Sequence, residues 1–204
     1  MRSIGEIVDG ELNKLVVALH NPKIKPDAPQ PRLGDFVLIK TNEIQIIGVV
    51  SHLMFKVREQ PQPLGLPPEQ VEAVLPDIED VVYANVLKLA FVPIIGYIEE
   101  GEAYQITPPV LPDIHDEVFL VKDEVIRQFH IRNNKLEITY FPRLLKDDVE
   151  NKVEVLAIIY KRLKKVIDLG LDEFLSLTNA AYEETKGAQL PTSFATTLSR
   201  LIGD

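Results

Sequence analysis

Proline sets the frame for this chain, because a residue without an amide proton fits neither a helix interior nor the middle of a sheet. Twelve of the fifteen prolines gather in three stretches: Pro22, Pro26, Pro29 and Pro31; then Pro61, Pro63, Pro67, Pro68 and Pro76; then Pro108, Pro109 and Pro112. Each stretch is predicted to be loop or surface excursion. Regular structure is confined to the runs between and after them.

The early runs are short and β-forming. Ile4 to Val8 leads into an Asp9-Gly10 turn, and Lys14 to His20 ends at Asn21-Pro22. Leu33-Gly34-Asp35 turns into Phe36 to Ile39, and Thr41-Asn42-Glu43 turns back into Ile44 to Phe55. Gly48 inside that last run suits a bulge or a sharp bend at a barrel corner. Val81 to Val92 and Gly96-Tyr97-Ile98 resume the pattern after a Pro-rich excursion near 58–78, and Glu99 to Glu102 makes an acidic turn. Pro67-Pro68 can open one helical turn within the excursion. Short strands at this spacing predict a small β-barrel, closed or partly closed.

Past Pro112 the pattern turns helical, which places a domain boundary there: 1–112 as barrel and 113–204 as mainly helical, an α+β chain. Asp116 to Phe129 is predicted as a helix with acids in its first turn. Leu136 to Phe141 reads as a short strand, paired through an Asn133-Asn134 turn. Asp147 is positioned as an N-cap with Glu150 three residues on, the spacing of a capping box. Val149, Val153, Leu156, Tyr160, Leu163 and Ile167 then form a heptad-like stripe, which is predicted to end at Gly170. The stripe has two readings, the seam of a small bundle or an interface to a partner or second copy. Leu171 to Thr185 and Pro191 to Ile202 are two further helices.

Chemistry is sparse. The chain has 204 residues and no cysteine, which excludes disulfides, thiolate metal sites and thiol catalysis. No glycine opens a phosphate-binding loop, and no serine sits in a nucleophile elbow. Of the four histidines, His20, His52, His115 and His130, only His115 lies in a cluster, Asp113 to Glu117. That cluster reads as a polar linker and helix start before it reads as a metal or acid–base site. His52 reads as a structural strand histidine. We therefore expect no catalytic residue, no metal and no cofactor. The net charge of −9 falls mostly on residues 1–115 and disfavours binding to a phosphate backbone. Lys161, Arg162, Lys164 and Lys165 are the one basic patch, which reads as a helix C-terminus facing its dipole before it reads as a contact for nucleic acid or an acidic partner. The apolar run Val86 to Ile98 is too short to span a bilayer, and Glu6 falls where a signal peptide would be apolar. The expected location is cytoplasmic.

The order of motifs in the first part resembles a known domain. Ile4-Gly5-Glu6-Ile7-Val8, Leu33-Gly34-Asp35-Phe36-Val37-Leu38-Ile39, Ile47-Gly48-Val49-Val50, Gly96-Tyr97-Ile98 and the Pro108-Pro109 exit are similar to the HAS-barrel. That barrel is shared by HerA-type DNA translocases and the N-terminal crown of rotary ATP synthase subunits. The resemblance covers roughly residues 1–115. Where those relatives continue into a P-loop ATPase, this chain continues into helices. The resemblance implies a docking element that packs in rings and contacts a HerA-like ATPase or its nuclease, with a homo-oligomer as a further possibility. A barrel binding single-stranded nucleic acid is the alternative. It needs exposed aromatics beside basic residues, whereas Tyr83, Tyr97 and Tyr104 lie in acidic surroundings.

Overall fold

A computed structural model describes residues 2–22, 24–57, 86–132, 135–145, 149, 151–186 and 191–203. The Pro-rich excursion near 58–78, Tyr83, Asn133-Asn134, Asp147, Asp148, Glu150 and Gly187 lie outside the described residues.

The strands are β1 (Ser3–Glu11), β2 (Lys14–Leu19), β3 (Phe36–Lys40), β4 (Gln45–Val49), β5 (His52–Val57), β6 (Val86–Glu99), β7 (Glu102–Tyr104) and β8 (Glu117–Leu120). They pair antiparallel in the order β2-β1-β8-β3-β4-β6, and β6 returns to β2. The result is a closed six-stranded barrel. Closure removes the exposed edges that an open sheet would leave. β5 and β7 are additions to β6 outside the ring.

Alternation along the strands explains the two kinds of run in the sequence. β2 alternates, with Leu15, Val17 and Leu19 buried inside and Lys14, Val16 and Ala18 turned outward. β3, β4 and the second half of β6 are apolar at nearly every position, because both faces are covered. Val37, Ile39, Ile46, Val92 and Ile94 fill the barrel with Ile4, Ile7 and Val118. Their neighbours Phe36, Leu38, Ile47, Val49, Ile95 and Ile98 face out into a second core shared with the helices.

The helices are α1 (Asp123–His130), α2 (Phe141–Leu144), α3 (Lys152–Ile167), α4 (Leu171–Lys186) and α5 (Thr192–Ile202). Two strands of two residues, β9 (Ile131–Arg132) and β10 (Lys135–Leu136), pair between α1 and α2. α3 is the centre of this layer and buries Val155, Leu156, Ile159, Tyr160, Leu163 and Val166. Phe141 and Phe174 pack edge-on, with ring centroids 5.4 Å apart, and Tyr160 lies 5.0 Å from Phe174.

Five expectations are corrected here. Asp116 to Phe129 is not one helix: Glu117–Leu120 is β8, which bonds to β1 and β3 and closes the barrel. Its residues alternate as a strand, so the acids before it are not a helix start, and the barrel draws on sequence beyond Pro112. Strand structure stops at Leu136, and Phe141 opens α2 with Pro142 in its first turn. α3 begins at Lys152, so Val149 lies outside it. It follows Asn151 in a left-handed conformation (φ 52°). It ends at Asp168 (φ 57°), whose N–H bonds to the Lys164 carbonyl at 3.1 Å, not at Gly170. A short polar side chain tolerates that backbone region nearly as well as glycine does.

Candidate interaction surface

Among the described residues, His130 is the one histidine that is fully buried. It lies between Phe36, Phe129 and Tyr140. Its Nδ1 donates to the Ile126 carbonyl at 2.7 Å, so its Nε2 accepts from the Tyr140 hydroxyl at 2.9 Å. Burial lowers its pKa to about 4, against a smaller upward pull from the Ile126 bond. The ring is neutral and its hydrogen-bonding capacity is used. Burial also raises the Tyr140 pKa. This is a structural pair that ties α1 to the segment before α2.

Gln105 and Arg143 stitch the helices to the barrel. Gln105 donates to the Phe129 and Glu137 carbonyls at 2.9 and 2.7 Å and accepts from the Thr139 amide at 2.7 Å. Arg143, on α2, donates to the carbonyls of Ile94 (3.4 Å), Ile95 (2.7 Å) and Gln105. Burial lowers its pKa from the ordinary arginine value.

A serine–histidine contact exists that the sequence did not signal, since Ser3 opens β1 and His20 follows the end of β2. Ser3 Oγ is 3.1 Å from His20 Nε2. The same nitrogen is 3.1 Å from Lys25 Nζ, and Ser3 Oγ donates to the Gly5 carbonyl at 3.0 Å. The hydroxyl proton thus has a backbone acceptor as well as the imidazole, and Lys25 competes for the same imidazole nitrogen. Burial, and then Lys25, lower the His20 pKa.

The residues singled out by sequence separate on folding. The stripe is covered by the chain's own core: Leu156, Tyr160 and Leu163 are at most 1% exposed, Val149 is buried, and Val153 and Ile167 pack against the same cluster. Of the six stripe residues, Val153 and Ile167 are half-buried and the other four are buried. In the basic patch, Arg162 pairs with Asp123, and Lys164 lies over the Tyr160 ring, 5.6 Å from its centroid. Lys161 and Lys165 are exposed on the same helix end. His115 bonds Glu6 Oε2 at 3.2 Å across the β1–β8 seam. Among the described residues no group of three or more His, Asp or Glu side chains could share a metal ion. Nor is any described helix long and apolar enough to cross a membrane. Tyr97 is buried and stacked on Tyr104 at 5.1 Å, and the Tyr104 hydroxyl donates to Glu102 at 3.1 Å.

One end of the barrel carries clefts and exposed aliphatic side chains. Strand directions put the β1–β2 turn (Leu12), the β3–β4 turn (Thr41 to Glu43), the β6–β7 turn (Glu99 to Gly101) and the approach to β8 (Leu111 to Asp116) at that end. Two clefts flank the β3–β4 turn. One, of about 290 Å³, runs to Ile98, Glu100 and Gln128. The other, of about 200 Å³, runs to Val110, Leu111, Pro112 and Asp113.

The chain matches no family model and no curated protein. This end of the barrel therefore has to be read from its own side chains. Leu12, Leu111 and Ile114 are exposed there by 39%, 49% and 53%, and Glu43, Asp113 and Asp116 line the cleft beside Leu111.

Proposed function

We propose that this chain is a non-catalytic docking and assembly protein. It binds through its barrel and helical layer to a HerA-like ring translocase, its nuclease or a related ring complex. The observation that carries this reading is a barrel filled by its own side chains, walled on one flank by helices, with aliphatic residues left exposed at one end. A filled barrel has no room for a ligand in its interior, so the work falls to its surface. Grouped apolar side chains on that surface are a feature of interaction sites. The polar groups that could catalyse support it too, because His130, Gln105 and Arg143 are occupied in holding the fold.

Single-strand binding has less support. The stacked tyrosines carry a carboxylate at their edge, and carboxylates repel phosphate.

Purified chain mixed with a HerA-like translocase, and separately with its nuclease, should co-elute with one of them in size-exclusion chromatography with light scattering. A chain that stays monomeric and binds neither sinks the proposal.

A further inference from the structure

We infer that this end of the barrel receives a basic segment of a partner protein, which seats an apolar side chain in the cleft beside Leu111. This deepens the docking reading and rests on it. It names the face and the chemistry of the partner.

The apolar part comes first. Leu111, Val110 and Pro112 form one wall of the cleft, and the β3–β4 turn from Lys40 to Glu43 forms the other. Ile114 stands exposed three residues on, and Leu12 projects from the β1–β2 turn at the same end. Leu12 is far from Leu111 and Ile114 in sequence and shares their end of the barrel through the strand pairing.

The wall is held still. The Thr41 hydroxyl accepts from the amides of Glu43 (3.3 Å) and Ile44 (3.1 Å). The Asp116 carboxylate accepts from the Asp113 amide at 2.9 Å, and the His115 amide donates to the Ile7 carbonyl at 2.8 Å. Short turns fixed by their own bonds lose little freedom when a partner lands.

Charge selects the occupant. Glu43, Glu100 and Asp113 are exposed around the clefts, and among the described residues none has an ion-pair partner. Lys40 is the cation of the same turn. Apolar anchors inside a carboxylate fringe complement an apolar residue flanked by Lys or Arg. A second copy would bring another net charge of −9 to this face, and the like charges would oppose it.

The test uses the full chain and a labelled peptide in which lysines flank a Phe-Leu pair, read by fluorescence anisotropy. Binding is expected to weaken as salt rises. Leu111→Ser with Ile114→Ser should weaken it at least about tenfold. Glu43→Lys with Glu100→Lys should abolish it, while Lys161→Glu on α3 leaves it unchanged. All these positions are exposed, and unchanged circular dichroism and thermal midpoints will show that the variants fold. Equal binding by wild type and both rim variants overturns the inference, as does wild-type dimerisation that the rim variants abolish. If the translocase or nuclease binds and the rim variants do not disturb it, the inference fails and the docking reading stands. If neither protein binds, it is the docking reading that fails.

Discussion

Arg143 donates to the Ile95 carbonyl at 2.7 Å, and Ile95 is the residue of β6 that has no counterpart in β4. The ladder pairs Ile47 with Gly96 and Gly48 with Ile94, so the strand skips one position. A bulge leaves backbone groups unpaired, and in a covered wall those groups need another donor. The guanidinium supplies it from α2. Arg143→Met should therefore cost about 2–3 kcal/mol in urea unfolding, since it strands carbonyls in the covered wall. Arg143→Lys should recover only part, because an ammonium lacks the planar fork that reaches several carbonyls. A loss below about 0.5 kcal/mol for the Met variant would mean that water serves the bulge equally well.

Gly34 fixes how closely α3 can approach the barrel. It sits at φ 76°, and a side chain there would lie 2.5 Å from Ile158 Cγ2. Gly34→Ala meets both a disfavoured backbone region and a packed neighbour, so a loss of at least about 2 kcal/mol is expected. Adding Ile158→Ala should return part of that loss. A double-mutant cycle with no coupling would show that backbone strain alone is responsible.

His130 makes stability depend on pH. Its folded pKa is about 4, and an unfolded histidine titrates near 6.5. Below pH 6.5 the unfolded chain takes up a proton that the folded chain refuses. The contribution is whole above pH 6.5 and is lost as pH falls from there toward 4, by up to roughly 3 kcal/mol. His130→Asn should be less stable at pH 7 yet show a flatter profile between pH 6.5 and 4. Parallel profiles for the two proteins, from urea midpoints across that range, would remove His130 as the cause.

Much of this was legible in the sequence, and the failures have physical reasons. The apolar runs of β3, β4 and β6 announced strands, and the structure adds that both faces of those strands are covered. Gly48 stands where the β4–β6 register shifts, and a side chain there would run into Val92. β8 was missed because its strand alternation lasts only Glu117–Leu120 before α1 begins. The stripe was recognisable as a helix, yet period alone could not say whether its partner was this chain or another. The rim was not legible, since Leu12 reaches the end that carries Leu111 and Ile114 through strand pairing and not through any local pattern.

The stripe gives a further prediction. Leu163 is completely buried on α3. Leu163→Ala should cost about 2–5 kcal/mol by opening a cavity, with no change in the mass measured by light scattering. A change of oligomeric state without loss of stability would return the stripe to the role of an interface.

The position of β8 also fixes an order of events during synthesis. β1 and β3 are both complete long before Glu117–Leu120 is made, and that strand is what joins them. Until the ribosome has passed Leu120, the nascent chain carries a sheet with two bare margins, each able to pair with a foreign strand. The proline segment ahead of β8 is thus not the end of a self-sufficient unit. A gene cut there would encode an unfinished sheet prone to clump.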